Sequence, residues 1–290
     1  MNISEERLYF NFDLFSQQEE YYNVNLQFID RTLPVGKILS SNGLTIVDVA
    51  CGTGLITSIL LEKLQGKRCK IIGVDPNPAA IKIASDKVRS TGETEVEFHE
   101  CFAQDLLNLI TPQSVDVVYF CNAIHEIPSD KAKMDALKAI AGILKANGKL
   151  FINSTFTKES YTPDTLKFWG MLKLIAFQTL GGKRDKNAPS FEILSIDDYK
   201  EKLTNAGFIV NEINTVRVEL SERAMLAICE YDAFVKGVFI DMENSDDFTL
   251  KQKSDALKLA VRTIIAQVQE KSPGLNPFAR NWIEFSCEKA

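Results

Sequence analysis

Between residues 45 and 156 the chain switches regularly between two hydrophobic periods, and that alternation restricts the fold more than any other feature. Residues 45–49 (Thr-Ile-Val-Asp-Val) are almost continuously apolar, the pattern of a strand buried on both faces. Residues 54–65 follow with Ile56, Ile59, Leu60 and Leu64 at helical spacing. Cys69 to Val74 is a second apolar run that ends at Asp75. Pro78 stands where a first-turn proline opens a helix, which is expected to reach about Ser90 with Ile81, Ala84 and Val88 inward. Glu95 to Phe102 alternates as a third strand, and Val115 to Phe120 is a fourth. Pro128-Ser129 starts a further helix, with Ser129 as N-cap and Met134, Leu137, Ala141 and Leu144 as its apolar stripe. Asn147-Gly148 is predicted to end that helix, and Lys149 to Phe156 reads as a fifth strand. Apolar strands joined by helices require a parallel sheet covered on both faces. Right-handed crossovers make that sheet doubly wound.

The second half is less regular. The pattern predicts helices over 163–180 and 196–206, separated by a Gly-Gly-Lys-Arg loop, then a sixth strand from Phe208 to Val216. Two long helical stretches follow, 221–238 and 249–270, joined by a short acidic connector from Asp241 to Asp247. In the second stretch Leu257, Val261, Ile264 and Val268 fall on one face. Trp282 to Cys287 is a last short strand.

Composition removes several function classes. A chain of 290 residues with 45% hydrophobic content buries a full core without staples. Its net charge of -6 lacks the basic footprint of a nucleic-acid binder. The run Lys183-Arg184-Asp185-Lys186 reads as a solvated loop. Six cysteines show no CxxC spacing and no zinc pattern with histidine, so they read as reduced core residues of a cytoplasmic protein, and no metal site is expected. No apolar run approaches the roughly 20 residues that span a bilayer, and the acidic start MNISEERLYF lacks the apolar region of a signal peptide.

The chemistry concentrates in Val47-Asp48-Val49-Ala50-Cys51-Gly52-Thr53-Gly54. A carboxylate at the end of a buried strand is costly unless something pairs with it. The glycines after it let a ligand approach the backbone closely. A phosphate-binding P-loop would need GxxxxGK[ST], which is absent. A dinucleotide loop would place Gly or Ala where Thr57 stands, and Asp48 would repel a pyrophosphate. S-adenosylmethionine remains, because its methionine end carries an ammonium that suits a carboxylate.

The chain resembles a class I S-adenosylmethionine-dependent methyltransferase. Val47 to Gly54 is similar to the family's first motif, in an Ala50-Cys51 form that resembles the quinone-biosynthesis C-methyltransferases and many small-molecule methyltransferases. Gly73-Val74-Asp75-Pro76-Asn77 resembles the second, Ala103-Gln104-Asp105 the third and Asp116-Val117-Val118-Tyr119 the fourth. Lys145 to Leu150 resembles the turn before strand five, and the likeness runs in order over 45–217. It implies an α/β fold: a doubly wound, mostly parallel, Rossmann-like seven-stranded sheet with a helical cap from the N-terminus and an insertion between strands 6 and 7. The implied division is an N-terminal cap segment 1–40, a cofactor-binding core 41–218, a helical insertion 219–278 and a last core strand 279–290.

The same resemblance assigns the site. Asp48 would face the ammonium, Ala50, Gly52 and Gly54 would admit the cofactor to the backbone, and Asp75, beside Pro76, would accept from both ribose hydroxyls. Asp105 would accept from the adenine amino group, with Ala103 and Gln104 beside it, and the carbonyl after strand four falls near Cys121-Asn122. Tyr21 or Tyr22, in an aromatic-dense N-terminal stretch, would lie over the cofactor. His125 would face the methyl acceptor and take its proton, against a plainer role in lining the pocket. S-adenosylhomocysteine would be the product, a small-molecule acceptor the partner, and a monomer or homodimer the assembly. Methylation of RNA or protein, and a cofactor-binding module without catalysis, are the competing readings.

Overall fold

The computed structural model describes residues 12–33, 43–188 and 193–290. Tyr9 and Phe10 of the aromatic stretch, and the boundary placed at 40/41, lie outside them. The chain forms two compact units. A sheet unit comprises Val24–Ser160, Ile193–Val216 and Trp282–Ala290, and a helical unit comprises the described parts of Met1–Asn23, Tyr161–Glu192 and Arg217–Asn281.

Seven strands make one sheet: β1 (Leu44–Val49), β2 (Cys69–Asp75), β3 (Thr94–Glu100), β4 (Val115–Cys121), β5 (Leu144–Ser154), β6 (Phe208–Glu219) and β7 (Ala279–Lys289). Their order is β3-β2-β1-β4-β5-β7-β6. Strands β1 to β5 pair in parallel, and β7 runs antiparallel to β5. In register, Asp48 lies beside Gly73 of β2 and Tyr119 of β4. The strand order therefore reverses at β1, and the crevice beyond the carboxyl ends at such a switch point is where open α/β sheets bind ligands. Val47, Val49, Val74, Val118, Phe120, Ile140, Leu150, Ile152 and Phe285 are among the buried core residues around these strands.

Local chemistry sets the helix starts. Asn77 accepts from the N–H groups of Ala79 and Ala80, with Pro78 behind it, to open Pro78–Lys87. Ser129 accepts from the Ala132 N–H to open Asp130–Ile143. Ser195 and Asp198 form a reciprocal capping box at Ile196–Asn205. One predicted stop is corrected. The helix ends at Ile143, not at Asn147-Gly148, because Leu144 is fully buried as the partner of Val115 in the sheet. Pairing resumes at Lys149 opposite Val117, so the residues between form a bulge in which Asn147 takes φ 60°.

The helix Glu19–Thr32 supplies its residues from Val24 onward to the sheet unit. Asn153 donates to Asn25 at 2.9 Å, and the Thr32 and Tyr119 hydroxyls lie 3.0 Å apart. Arg31 donates to both oxygens of Glu284 at 2.7 Å. Glu284 is only 2% exposed, so this pair, made by one guanidinium nitrogen, compensates a carboxylate the sheet has buried.

In the helical unit, Thr249 and Gln252 form the capping box of the 22-residue helix Leu250–Lys271. The single helix expected over 221–238 is two, Glu222–Ile228 and Asp232–Phe239. Extended backbone at Tyr231 turns the chain between them, and Tyr231 packs on Phe12 while Phe239 stacks on Phe177. Asp241, the first residue of the acidic connector, is buried and ion-paired with Lys173 and Arg184. Arg184 thereby has a partner that the reading of 183–186 as a solvated loop did not include. Arg280, at 4% exposure, places its guanidinium 4.5 Å from the Tyr161 ring and 4.7 Å from Trp169. Among the described residues no helix is long and apolar enough to cross a membrane.

Candidate functional site

The loop after β1 depends on left-handed backbone. Ala50 (φ 55°), Gly52 (φ 53°) and Gly54 (φ 87°) all occupy it, which is routine for glycine and strained for alanine. The loop is pinned to β2: Cys51 N–H donates to the Val74 carbonyl and Gly52 N–H donates to Asp75 Oδ2, both at 2.9 Å. The two glycines serve different ends. A Cβ on Gly54 would sit 3.2 Å from that of Ala84, so this glycine permits close helix packing. A Cβ on Gly52 would meet nothing within 4 Å, so this glycine borders open space at the switch point.

Asp48 is 1% exposed. Its Oδ2 accepts from the Thr57 hydroxyl at 2.6 Å, and its buried Oδ1 has no hydrogen-bond partner among the described residues. Burial pushes its pKa up to about 7, opposed by the Thr57 bond and reinforced by the nearby charge of Asp75. Asp75 ends β2 at 9% exposure and accepts from Gly52 N–H on one oxygen and from Asn77 N–H on the other. Burial raises its pKa as well, against those two bonds. Each Asp75 oxygen keeps a further lone pair for a ligand hydroxyl. Pro76 beside it is exposed.

Past β3, Ala103, Gln104 and Asp105 form one helical turn, with Ala103 half-buried and the other two exposed. Cys101 N–H donates to the Asp75 carbonyl, which ties this turn to the end of β2. Past β4, Cys121 is buried and burial raises its thiol far above the ordinary value. Asn122 (φ 51°) accepts on its side-chain oxygen from the Thr155 N–H and hydroxyl, both at 3.1 Å, joining the ends of β4 and β5. His125 lies on the short turn Ile124–Glu126, half-buried, with its ring stacked 3.9 Å from that of Phe156. These residues all belong to the sheet unit. Tyr21 belongs to the helical unit, where it is 4% exposed and packs against Phe12 and Phe15.

Three residues escaped the sequence reading. Thr57 registered only as a missing glycine, yet its place on the first turn of the helix after the loop puts a donor beside the end of β1. Phe156, read as the end of a strand, is the stacking partner of His125. Phe102, also read as strand, is 55% exposed next to the Ala103 turn. Among the described residues, no group of three or more His, Cys, Asp or Glu side chains could hold a metal ion.

The sheet order and the acid–glycine loop at its switch point define the fold of a class I S-adenosylmethionine-dependent methyltransferase. The chain belongs to the methyltransferase-domain family, whose model matches residues 40–187. It is 29% identical over 131 residues to a ubiquinone biosynthesis O-methyltransferase of Leptothrix cholodnii, covering 45% of this chain and 50% of that one. It is 28% identical over 152 residues to a demethylmenaquinone methyltransferase of Lactococcus lactis, covering 51% and 58%. The chain thus spans about half the length of the curated relatives it matches. Two solved structures share the fold. An S-adenosylmethionine-dependent methyltransferase of Methanosarcina mazei has 17% identity and a TM-score of 0.51, covering 88% of this chain and 97% of that one. The [4+2]-cyclase SpnF has 18% identity and a TM-score of 0.54, covering 93% and 80%.

Proposed function

We propose that the chain transfers a methyl group from S-adenosylmethionine to oxygen, nitrogen or an activated carbon of a small, partly apolar acceptor. The observation that carries this reading is the open backbone at Gly52, flanked by Asp75 and by the unpartnered buried oxygen of Asp48. Those features fit the cofactor's ribose and ammonium. When bound, the cofactor supplies a sulfonium methyl already activated for displacement. The chain's own residues bind and orient. Asp75 accepts from the ribose hydroxyls, Asp48 offsets the ammonium, and the turn Ala103-Gln104-Asp105 receives the adenine. Ala50, Gly52, Gly54, Pro76 and the backbone at Cys121-Asn122 line the cofactor. His125, its plane held by Phe156, takes the acceptor's proton. Alignment of the reactants accounts for most of the rate.

One curated relative is named a ubiquinone biosynthesis O-methyltransferase and another a demethylmenaquinone methyltransferase, which supports a quinone-like acceptor here. The net charge of -6 argues against RNA, and we place the protein in the cytoplasm. A second reading, a chain that binds the cofactor without transferring its methyl group, has one specific support: the fold is shared with a [4+2]-cyclase, so fold alone does not fix the reaction. Titration calorimetry with S-adenosylmethionine and S-adenosylhomocysteine, then mass detection of a +14 product over phenolic and quinol acceptors, tests the proposal. Binding of both and a +14 product support it, with His125→Ala keeping affinity and losing turnover. A folded protein that binds neither at millimolar concentration refutes it, and binding without any methylated product favours the second reading.

A further inference from the structure

We propose that Thr57 is a positioning residue of the cofactor site: its hydroxyl commits one oxygen of Asp48 to the helix after the loop and leaves the other for the cofactor's ammonium. The inference rests on the reading of this loop as an S-adenosylmethionine site and says how its carboxylate is made competent.

The geometry is specific. Thr57 is fully buried, and its Oγ1 donates to Asp48 Oδ2 at 2.6 Å, the length of a strong hydrogen bond to a carboxylate. Asp48 Oδ1 is as deeply buried and has no hydrogen-bond partner among the described residues. A buried polar atom left unsatisfied in a native fold calls for an explanation, and a missing ligand is one. One oxygen is thus saturated by the protein and the other is held in reserve.

Such a carboxylate attracts an ammonium only when ionised. Burial works against the ionised form, and so does the like charge of Asp75 at the end of β2. The other titratable groups near it are Cys51 of the loop and Cys121 of β4, whose thiols burial keeps neutral. The Thr57 hydroxyl therefore opposes the loss of charge at Asp48, and removing it shifts Asp48 toward the neutral acid at pH 7.

The test is calorimetry between pH 6 and pH 9 with two probes, S-adenosylhomocysteine, which carries the ammonium, and 5′-methylthioadenosine, which lacks the amino-acid end. Thr57→Val is expected to weaken S-adenosylhomocysteine by about tenfold or more at pH 7, the scale of a hydrogen bond to a charged group. Part of that loss should return by pH 9, while methylthioadenosine is unaffected. Thr57→Ser keeps the donor and should bind as the natural chain does. Thr57→Cys, a weaker donor, should fall between. In an Asp48→Asn background Thr57→Val should add nothing. Equal losses for both probes, or affinities that do not follow the order Ser, Cys, Val, overturn the inference while leaving the cofactor reading standing. If Thr57→Val does not fold, the Ser and Cys variants decide by the same order. No S-adenosylhomocysteine binding by the natural chain overturns the cofactor reading and this inference with it.

Discussion

The two units of this chain are stabilised in different ways. In the sheet unit, most elements follow from short-range pattern: an apolar run, a cap, a glycine at a left-handed position. Its residues Asp48, Asp75 and Asn122 stand at the carboxyl ends of β1, β2 and β4. Three buried carboxylates there and on β7, Asp48, Asp75 and Glu284, have pKa values raised by burial. The helical unit is built from three segments far apart in sequence. Two of its buried charges are matched within the unit, Asp241 by Lys173 and Arg184, and Arg280 by the rings of Tyr161 and Trp169. In the sheet unit Glu284 is paired with Arg31, while Asp48 keeps one buried oxygen with no hydrogen-bond partner among the described residues.

Substitutions can break that contrast from either side. The largest effect is expected from Gly52→Val, which puts a β-branched side chain at φ 53° and into the open space beside the loop. Cofactor binding should be abolished in calorimetry, with the helical content seen by circular dichroism unchanged.

Asp48→Asn should separate ligand need from stability. The folded pKa of Asp48 lies near 7, above its ordinary 3.8. The folded state therefore holds the proton more tightly, and this contribution is fully present below about pH 4 and lost as pH rises through 7. For the ligand-free protein the loss between pH 4 and pH 8 is on the order of 4 kcal/mol, with Asp75 and Glu284 adding in the same direction. Thermal melting of the natural chain should fall across that range, and Asp48→Asn should flatten the fall while weakening, not abolishing, affinity for the ammonium-bearing cofactor.

Arg280→Ala probes the other unit. It empties the space between two rings and should cost about 3 kcal/mol, read as a lower denaturant midpoint. Cofactor affinity should stay unchanged at temperatures where the protein is folded. Loss of both would show that the units do not behave separately.

The smallest effect is expected at Ala50. Its φ of 55° strains an alanine, and Ala50→Gly removes that strain while adding chain entropy to the unfolded state. The net should be a gain of a few tenths of a kcal/mol to about 1 kcal/mol, seen as a slightly higher melting temperature. A loss instead would show that the loop is not strained there.

How far the chain could be read in advance follows the same contrast. The strands β1 to β4 stand within a residue or two of where periodicity puts them, because burial on both faces of β1, β2 and β4 writes itself into consecutive residues and the edge strand β3 keeps an alternating pattern. Asp75 was visible as a carboxylate closing a strand. The bonds that hold it, from Gly52 and Asn77, were not, because they depend on how the loop after β1 folds back on β2. Asn122 was expected for its place after strand four, but its grip on Thr155 required the β5 end as neighbour. The break at Tyr231 was invisible because a continuous helical pattern fits residues 221–238 equally well until Phe12 and Phe177 supply the surfaces they pack on.

By itself, then, the sequence determined the order of strands and helices and the acid–glycine loop, since these rest on local periodicity and on backbone angles that few residues accept. Tertiary structure decided which oxygen of Asp48 is occupied, what stacks on His125, where Arg280 and Asp241 find their partners and how the long helical stretch divides. Those outcomes depend on residues that only folding brings together, and no spacing along the chain records them.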